Sequence, residues 1–391
     1  YIARRNAAKR KERKKNMIKH LPPMGWNTWN TFAEKINEEL VLQSADALVS
    51  SGLKEAGYEY VVVDDCWALR ERGKDGKLVP DPKKFPHGMR YVADKLHEKG
   101  LKFGMYSCCG TMTCARFPAS FNREFLDAQT FAEWGVDFLK YDYCFKPAGA
   151  VGAELYRRMG LALASSGRDI LFSGCSWGAD KTPEWIGTTG ANMWRSTGDI
   201  FDCWESVKSL IRQQYDILPF GGRDCFNDMD MLIVGMHGKG NVGVKGCTPD
   251  EYKLHFAAWC LFGSPLMIGC DIRNMDEETK AILTNPVLLG IDQDPRCNRP
   301  YILKCEGNED LPAVVRTLAN GDIAVGLFNL SDAHADPYVC LDDIGVPSAQ
   351  GKTVEGTEAY TGQTIRAVNA ILSASLPAHS CAVYRLKITD L

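Results

Sequence analysis

Residues 88–107 read GMRYVADKLHEKGLKFGMYS, and this stretch decides the fold. Gly88 to Lys99 carries apolar residues at helical spacing. Gly100 then supplies a stop, because glycine tolerates the left-handed conformation in which many helices end. LKFGMYS, from Leu101, follows with strand character. The same alternation of a short apolar run and a helical segment recurs from residue 21 to about residue 300, and it implies parallel strands with helical crossovers. A further helix opens at Thr248-Pro249-Asp250-Glu251, where Thr can cap, Pro suits the first turn and Glu can reach back as in a capping box.

Eight strand candidates follow in order: MGWNTW from Met24, YVVVDDCW from Tyr60, LKFGMYS from Leu101, DFLKYDYC from Asp137, DILFSGCSW from Asp169, ANMWRSTGDI from Ala191, FNDMDMLIVG from Phe226 and SPLMIGCDI from Ser264. Nearly all begin apolar and end polar or aromatic. A closed (β/α)8 TIM barrel places its active site at such C-terminal ends, and an open doubly wound sheet has a similar polarity. The count of eight favours the barrel. After Pro300 the texture changes to short β-like runs (AVVRTL, IAVGLFNL, TVEGTEAY, CAVYRLKI) broken by Asn-Gly, Gly and Ser. The chain therefore divides into a basic N-terminal segment (1–20), a catalytic α/β barrel (21–300) and a C-terminal antiparallel β-sandwich domain (301–391).

Composition narrows the function. The 391 residues suit about two domains. A net charge of −3 gives no bulk reason to expect nucleic acid as a partner, and the absence of a long apolar run gives none for a membrane span. The segment 1–20 is expected to be a solvated helix. It lacks the apolar stretch of a secretory signal. The 15 cysteines are an odd number and many sit in apolar runs, so a reducing cytoplasm is the expected compartment. A homo-oligomer is compatible with all of this.

Charged residues gather where the strands should end: Asp64 and Asp65 on the second, Lys140 and Asp142 on the fourth, Arg195 and Asp199 on the sixth, Asp228 and Asp230 on the seventh. This predicts one acidic cleft. Such a cleft could hold a hard cation or hydrolyse a glycoside with two carboxylates. Lys140 and Asp142 share a strand face and the lysine charge would keep Asp142 ionised, which suits a nucleophile. Asp199 suits an acid if a neighbouring charge or burial raises its pKa. Gly238–Gly243 fits GxGxxG but no helix opens within it, and Cys108, Cys109 and Cys114 lack a second ligand pair for zinc.

The segments MGWNTW, VVVDDCW, GMYSCCGTMTCARFPASF, DAQTFAEWGVDFLKYDYC, CSWG, WRSTGD, FNDMDML and SPLMIGCDIR resemble glycoside hydrolase family 27, which contains α-galactosidases and α-N-acetylgalactosaminidases. The resemblance runs from about Leu21 to Pro300 and more loosely beyond. It implies a barrel with a β domain, and a retaining exo-glycosidase acting on terminal α-galactosides of oligosaccharides or glycoconjugates. It implies neither cofactor nor metal. By resemblance Asp142 is the nucleophile and Asp199 the acid/base. Asp64 and Asp65 would bind the 4- and 6-hydroxyls and Trp26 would pack on the ring. Tyr106 and Lys140 would line the pocket, Arg195 would lie near the 2-hydroxyl, and Asp230 would close another side. Ser176 and Ala179 stand where the family often has Glu and a bulkier apolar residue. Small residues there resemble the arrangement that admits a 2-acetamido group, so α-N-acetylgalactosaminidase is the alternative. Cys114 and Cys144 occupy the family's disulfide positions.

Overall fold

The computed structural model describes residues 21–391; the basic segment 1–20 lies outside the described residues. Eight parallel strands form one curled sheet: β1 Met24–Asn27, β2 Tyr60–Val62, β3 Lys102–Cys108, β4 Phe138–Asp142, β5 Leu171–Cys175, β6 Met193–Arg195, β7 Phe226–Asp228 and β8 Leu266–Ile268. The order runs β7-β6-β5-β4-β3-β2-β1-β8. The ring closes beyond β7, where Leu232 N–H donates to Met267 O (2.8 Å) and its carbonyl accepts from Gly269 N–H (2.9 Å). All eight expected strands are present, and the fold is a TIM barrel. The crossovers include α1 Glu38–Ser50, α2 Gly88–Glu98, α3 Glu124–Glu133, α4 Gly152–Ser165, α5 Trp204–Gln213 and α6 Pro249–Phe262. Between β5 and β6 the helix shrinks to Thr182–Trp185, flanked by 3-10 turns. Gly187 and Gly190 follow it, and glycine is a poor helix former.

The two-residue period of the strands explains where the chemistry sits. One face of each strand points into the barrel. Tyr60, Val62, Phe138, Leu171, Met193, Phe226 and Met267 form a buried apolar cluster there. Continuing on the same phase, that face reaches Asp64, Tyr106, Lys140, Asp142, Cys175, Arg195, Asp228 and Asp230. The opposite face (Val61, Val63, Leu139, Tyr141, Phe172, Trp194) belongs to the larger core that includes the helices. Gly104 belongs to the inner layer because a Cβ there would lie 2.6 Å from Val62 Cγ2.

α2 buries Met89, Val92, Ala93 and Leu96, the i, i+3, i+4, i+7 stripe of one helix face. Gly100, just beyond it, has φ +69°. α6 has the expected capping box: Thr248 Oγ1 accepts from Glu251 N–H and Glu251 Oε2 accepts from Thr248 N–H. Unlike α2 it is buried almost all round, because the C-terminal domain covers the side turned away from the barrel.

That domain has a six-stranded antiparallel sheet and a two-stranded one. In the larger sheet β9 is Tyr301–Lys304, β10 Pro312–Thr317, β11 Ile323–Asn329, β13 Lys352–Glu358, β14 Thr364–Arg366 and β16 Ser380–Asp390, in the order β14-β13-β16-β11-β10-β9. β12 Tyr338–Cys340 pairs with β15 Ile371–Ser373. β11 is buried throughout, and its faces serve two cores. Ile323, Val325 and Leu327 pack within the domain, while Ala324 and Phe328 join the barrel's core. Gly326 lets the strand lie close on α6, since a Cβ would be 2.3 Å from Leu261 Cδ1. No helix among the described residues is long and apolar enough to cross a membrane.

Candidate active site

The C-terminal ends of the strands enclose a small cleft. Asp64, Asp65, Tyr106, Lys140, Asp142, Arg195, Asp199 and Asp230 all line it. Residues far apart in sequence thus meet because each ends, or just follows, an inward-facing strand run.

On the β4 side, Asp142 is 6% exposed. Its Oδ2 accepts from Tyr106 Oη (3.0 Å) and its Oδ1 from Tyr143 N–H (3.0 Å). Burial raises its carboxyl to about 6, against the opposing pull of the Lys140 charge. Lys140 Nζ is 2.8 Å from Asp64 Oδ2, an oxygen that also accepts from Asn27 Nδ2 at 2.8 Å. Burial disfavours this ammonium, but Asp64 outweighs it together with the other acidic groups, so the lysine stays charged. Asp65 accepts from the N–H groups of Cys66 (2.7 Å) and Ala115 (2.9 Å); burial still raises its carboxyl above the ordinary range.

Cys114 and Cys144 form a disulfide that ties the loop after β3 to the loop after β4, two residues beyond Asp142. The other cysteines are free. Asp142 and these two sulfurs lie close enough together to suggest a metal triad, but sulfurs bonded to each other are not thiolate ligands.

On the β6 side, Arg195 is 3% exposed. Its Nη2 reaches Asp199 Oδ1 at 2.8 Å, Gly198 O at 2.8 Å and Asp230 Oδ2 at 2.5 Å. Burial raises the Asp230 carboxyl to about 7, opposed by Arg195. Asp199 differs: its side chain is 65% exposed. The burial expected around an acid is not built into the protein at this position; its close partner is a cation.

Three expected residues are not brought to the cleft. Trp26 is fully buried, donates its indole N–H to Cys270 O (2.8 Å) and packs edge-on against Phe32. The tryptophan at the cleft is Trp29. Trp29 opens the short helix Trp29–Phe32 that follows β1 and packs against the inner apolar cluster. Ser176 is also fully buried, with its hydroxyl 2.6 Å from Thr182 Oγ1. Ala179 packs at the edge of the core. Cys175 and Trp177 line the cleft instead, flanking Ser176. Trp177 has φ +56°, and such strain clusters at functional sites. Residues 174–178 (GCSWG) fit the spacing of a serine-hydrolase elbow, yet that elbow needs an exposed hydroxyl, which Ser176 does not offer. Asn30, Met231 and Val242 complete the missed lining. Asn30 comes from the short helix Trp29–Phe32 and the other two from loops, where no strand phase marks them.

Comparisons with known proteins agree on one family. A family profile described as "Alpha galactosidase A" matches residues 21–294, and one described as "Alpha galactosidase C-terminal beta sandwich domain" matches residues 308–386. The chain is 41% identical to an α-galactosidase of Cyamopsis tetragonoloba over 372 residues, covering 95% of this chain and 87% of the relative. The crystal structure of α-galactosidase I from Mortierella vinacea superposes with a TM-score of 0.87 at 32% identity, over 95% of this chain and 98% of that one. An α-galactosidase of Saccharomyces cerevisiae solved with raffinose gives 0.84 at 31% identity, over 94% of this chain and 98% of that one.

Proposed function

The chain belongs to the α-galactosidase family, and on that premise we propose that its cleft removes terminal α-galactosyl residues with retention, Asp142 acting as nucleophile and Asp199 as acid/base. It is a glycoside hydrolase of the α-galactosidase type, and its substrates are α-galactosides. The observation that carries the residue assignment is the contrast between two carboxylates in one cleft, one buried beside Lys140 and one exposed beside Arg195.

In the first step an Asp142 oxygen bonds to the anomeric carbon as the glycosidic C–O bond breaks, and Asp199 gives its proton to the departing oxygen. In the second, Asp199 takes a proton from water as that water's oxygen attacks the anomeric carbon, releasing galactose and the Asp142 carboxylate. Two displacements restore the α configuration. Tyr106 and Tyr143 N–H hold Asp142 in place, and Lys140 favours its ionised form. A bound sugar ring would cover Asp199 and supply the burial that the free protein leaves out.

Asp64 and Asp65 select the sugar. Both are nearly fully buried, and each carboxylate keeps acceptor capacity beyond its protein donors. The axial 4-hydroxyl and the 6-hydroxyl of galactose would use it, whereas glucose would leave a buried acceptor unpaired and be rejected. Trp29 offers an apolar face to the ring, and Arg195 has donors to spare for the 2-hydroxyl.

Three measurements test this. Proton NMR of the first product should show α-galactose; β-galactose would sink the retaining scheme. A 2-fluoro galactosyl donor should leave one added sugar on the peptide containing Asp142, and a label elsewhere would reassign the nucleophile. Turnover of p-nitrophenyl α-galactoside should exceed that of its 2-acetamido counterpart; the reverse order would favour the α-N-acetylgalactosaminidase alternative.

A further inference from the structure

Asp230 lines the cleft, and protein donors hold both oxygens of its carboxylate. Oδ1 accepts from Met231 N–H (2.7 Å). Oδ2 accepts from Ile200 N–H (2.7 Å) and lies 2.5 Å from Arg195 Nη2. Both Oδ2 contacts lead to Asp199. Ile200 is its immediate neighbour in the chain, and the same Arg195 Nη2 holds its Oδ1. Asp230 itself is held in an unusual state, with φ +89° for a residue that has a Cβ. Asp228 Oδ1 accepts its N–H (2.9 Å) and Trp259 Nε1 donates to its carbonyl (2.7 Å). Backbone strain maintained by several partners is a mark of a functional position.

We propose that Asp230 is the positioning residue of the acid/base: by fixing the Arg195 guanidinium and the Ile200 backbone it aims Asp199 and sets how firmly Asp199 keeps its proton, without itself binding the sugar. This rests on the reading of Asp199 as acid/base.

Arg195 is one cation shared between carboxylates. Asp199 is on its own strand extension, and Asp230 and Asp228 come from the β7 side. Cys175 lies beside it from β5, and Asp142 with Lys140 comes from β4 into the same cleft. While Asp230 holds the guanidinium, Asp199 receives only part of its charge. Asp230→Asn takes away the carboxyl group that competes for Arg195 and leaves the guanidinium to Asp199 alone. That favours the Asp199 carboxylate, so the proton needed by the leaving group is lost at lower pH.

The test is Asp230→Asn, which keeps the size and tolerates the left-handed backbone. It is assayed on an α-galactosyl disaccharide, whose leaving group needs a proton, and on p-nitrophenyl α-galactoside, whose leaving group needs one far less. The kcat/KM for the disaccharide should fall on the order of 10²-fold and that for the aryl galactoside less than about 10-fold, in the range of general acid catalysis. The basic limb of the kcat/KM profile should move to lower pH by about one unit, as for a nearby charge. Inhibition by galactose should stay within about twofold, since no contact with the sugar is lost. Weakened galactose inhibition, or an equal fall on both substrates with the limb unmoved, overturns the proposal. Should Asp230→Asn not fold, Asp230→Glu carries the test: it keeps the charge and alters the reach, so the disaccharide-selective loss is expected with the limb in place, and an equal loss on both substrates overturns the proposal. Asp199→Asn is the control. If it lacks the leaving-group discrimination, the acid/base reading falls and this inference with it. If it shows the discrimination and Asp230→Asn does not, only the role of Asp230 falls.

Discussion

Asp142 and Asp199 line the same cleft but are surrounded in different ways. Asp142 ends a strand, is almost fully buried, and is fastened through Tyr106, Tyr143 N–H and the neighbouring disulfide. Asp199 follows its strand at a distance of four residues, is mostly exposed, and has the Arg195 guanidinium as its partner. A nucleophile must meet a carbon along one line, so rigidity and partial desolvation serve it. An acid/base must trade protons with a leaving group and then with water, so access serves it. Substitutions on the two sides should therefore fail in different ways.

The largest effect is expected at Asp142. Asp142→Asn should lower kcat by about 10⁴-fold or more on every α-galactoside, aryl substrates included, because no second nucleophile is in place. The same substitution should stabilise the fold. Burial raises this carboxyl from 3.8 to about 6, so the folded state holds its proton more firmly than the unfolded state does. Its contribution to stability is thus full below about pH 4 and is lost as pH rises through about 6. At neutral pH the neutral side chain should gain on the order of 3 kcal/mol by linkage. Thermal midpoints across pH 4 to 8 check this: the variant and the wild type should converge at the acid end, draw apart between about pH 4 and 6 and stay apart above that. A variant less stable at neutral pH would mean that the hydrogen bonds to Asp142 outweigh the cost of burying its charge.

Asp199→Asn should cost about 10²–10⁴-fold on a disaccharide, and because its side chain is exposed the thermal midpoint should barely move. An equal loss on all leaving groups would erase the contrast between the two carboxylates. Lys140→Met sharpens the contrast from the other direction. Lys140 opposes the effect of burial on Asp142, so without it the acid limb of kcat/KM should move to higher pH by about one unit. A limb that stays in place would show that Lys140 serves Asp64 alone.

The barrel was legible in the sequence because the strand runs begin apolar and end polar and two of the helices carry a clear stop or cap, at Gly100 and Thr248. The inward phase that positions Lys140 and Asp142 also marks Asp64 and Arg195, so the sequence pattern alone outlines the polar layer. What could not be read was which members of a motif turn inward. Trp26 lies in β1 and Trp29 in the short helix that follows it, and Trp29 is the one that reaches the cleft. Trp29→Ala should raise KM about 10-fold with little loss of stability, since the indole packs on substrate. Trp26→Ala should instead cost about 3–5 kcal/mol of stability, as for a large aromatic removed from a packed core. A chemical-denaturation curve beside a KM measurement separates the two.

The smallest effect is expected at Ser176, the position on which the choice of sugar turned in the sequence. A residue refuses a 2-acetamido group by filling the space near C2 and admits one by leaving it free, and Ser176 is small and is not among the residues that line the cleft. It is fully buried and its hydroxyl is held by Thr182. Cys175 and Trp177 present themselves to the cleft on either side of it. Ser176→Ala removes one buried hydrogen bond and leaves the Thr182 hydroxyl bonded to Ala179 O. It should cost about 1 kcal/mol of stability and leave the ratio of galactoside to 2-acetamido-galactoside turnover within about twofold. Trp177→Ala, by contrast, alters the wall itself and should change that ratio. If Ser176→Ala moved the ratio more than Trp177→Ala, the loop after β5 would have to adopt a different conformation when substrate binds, one that swings Ser176 into the cleft.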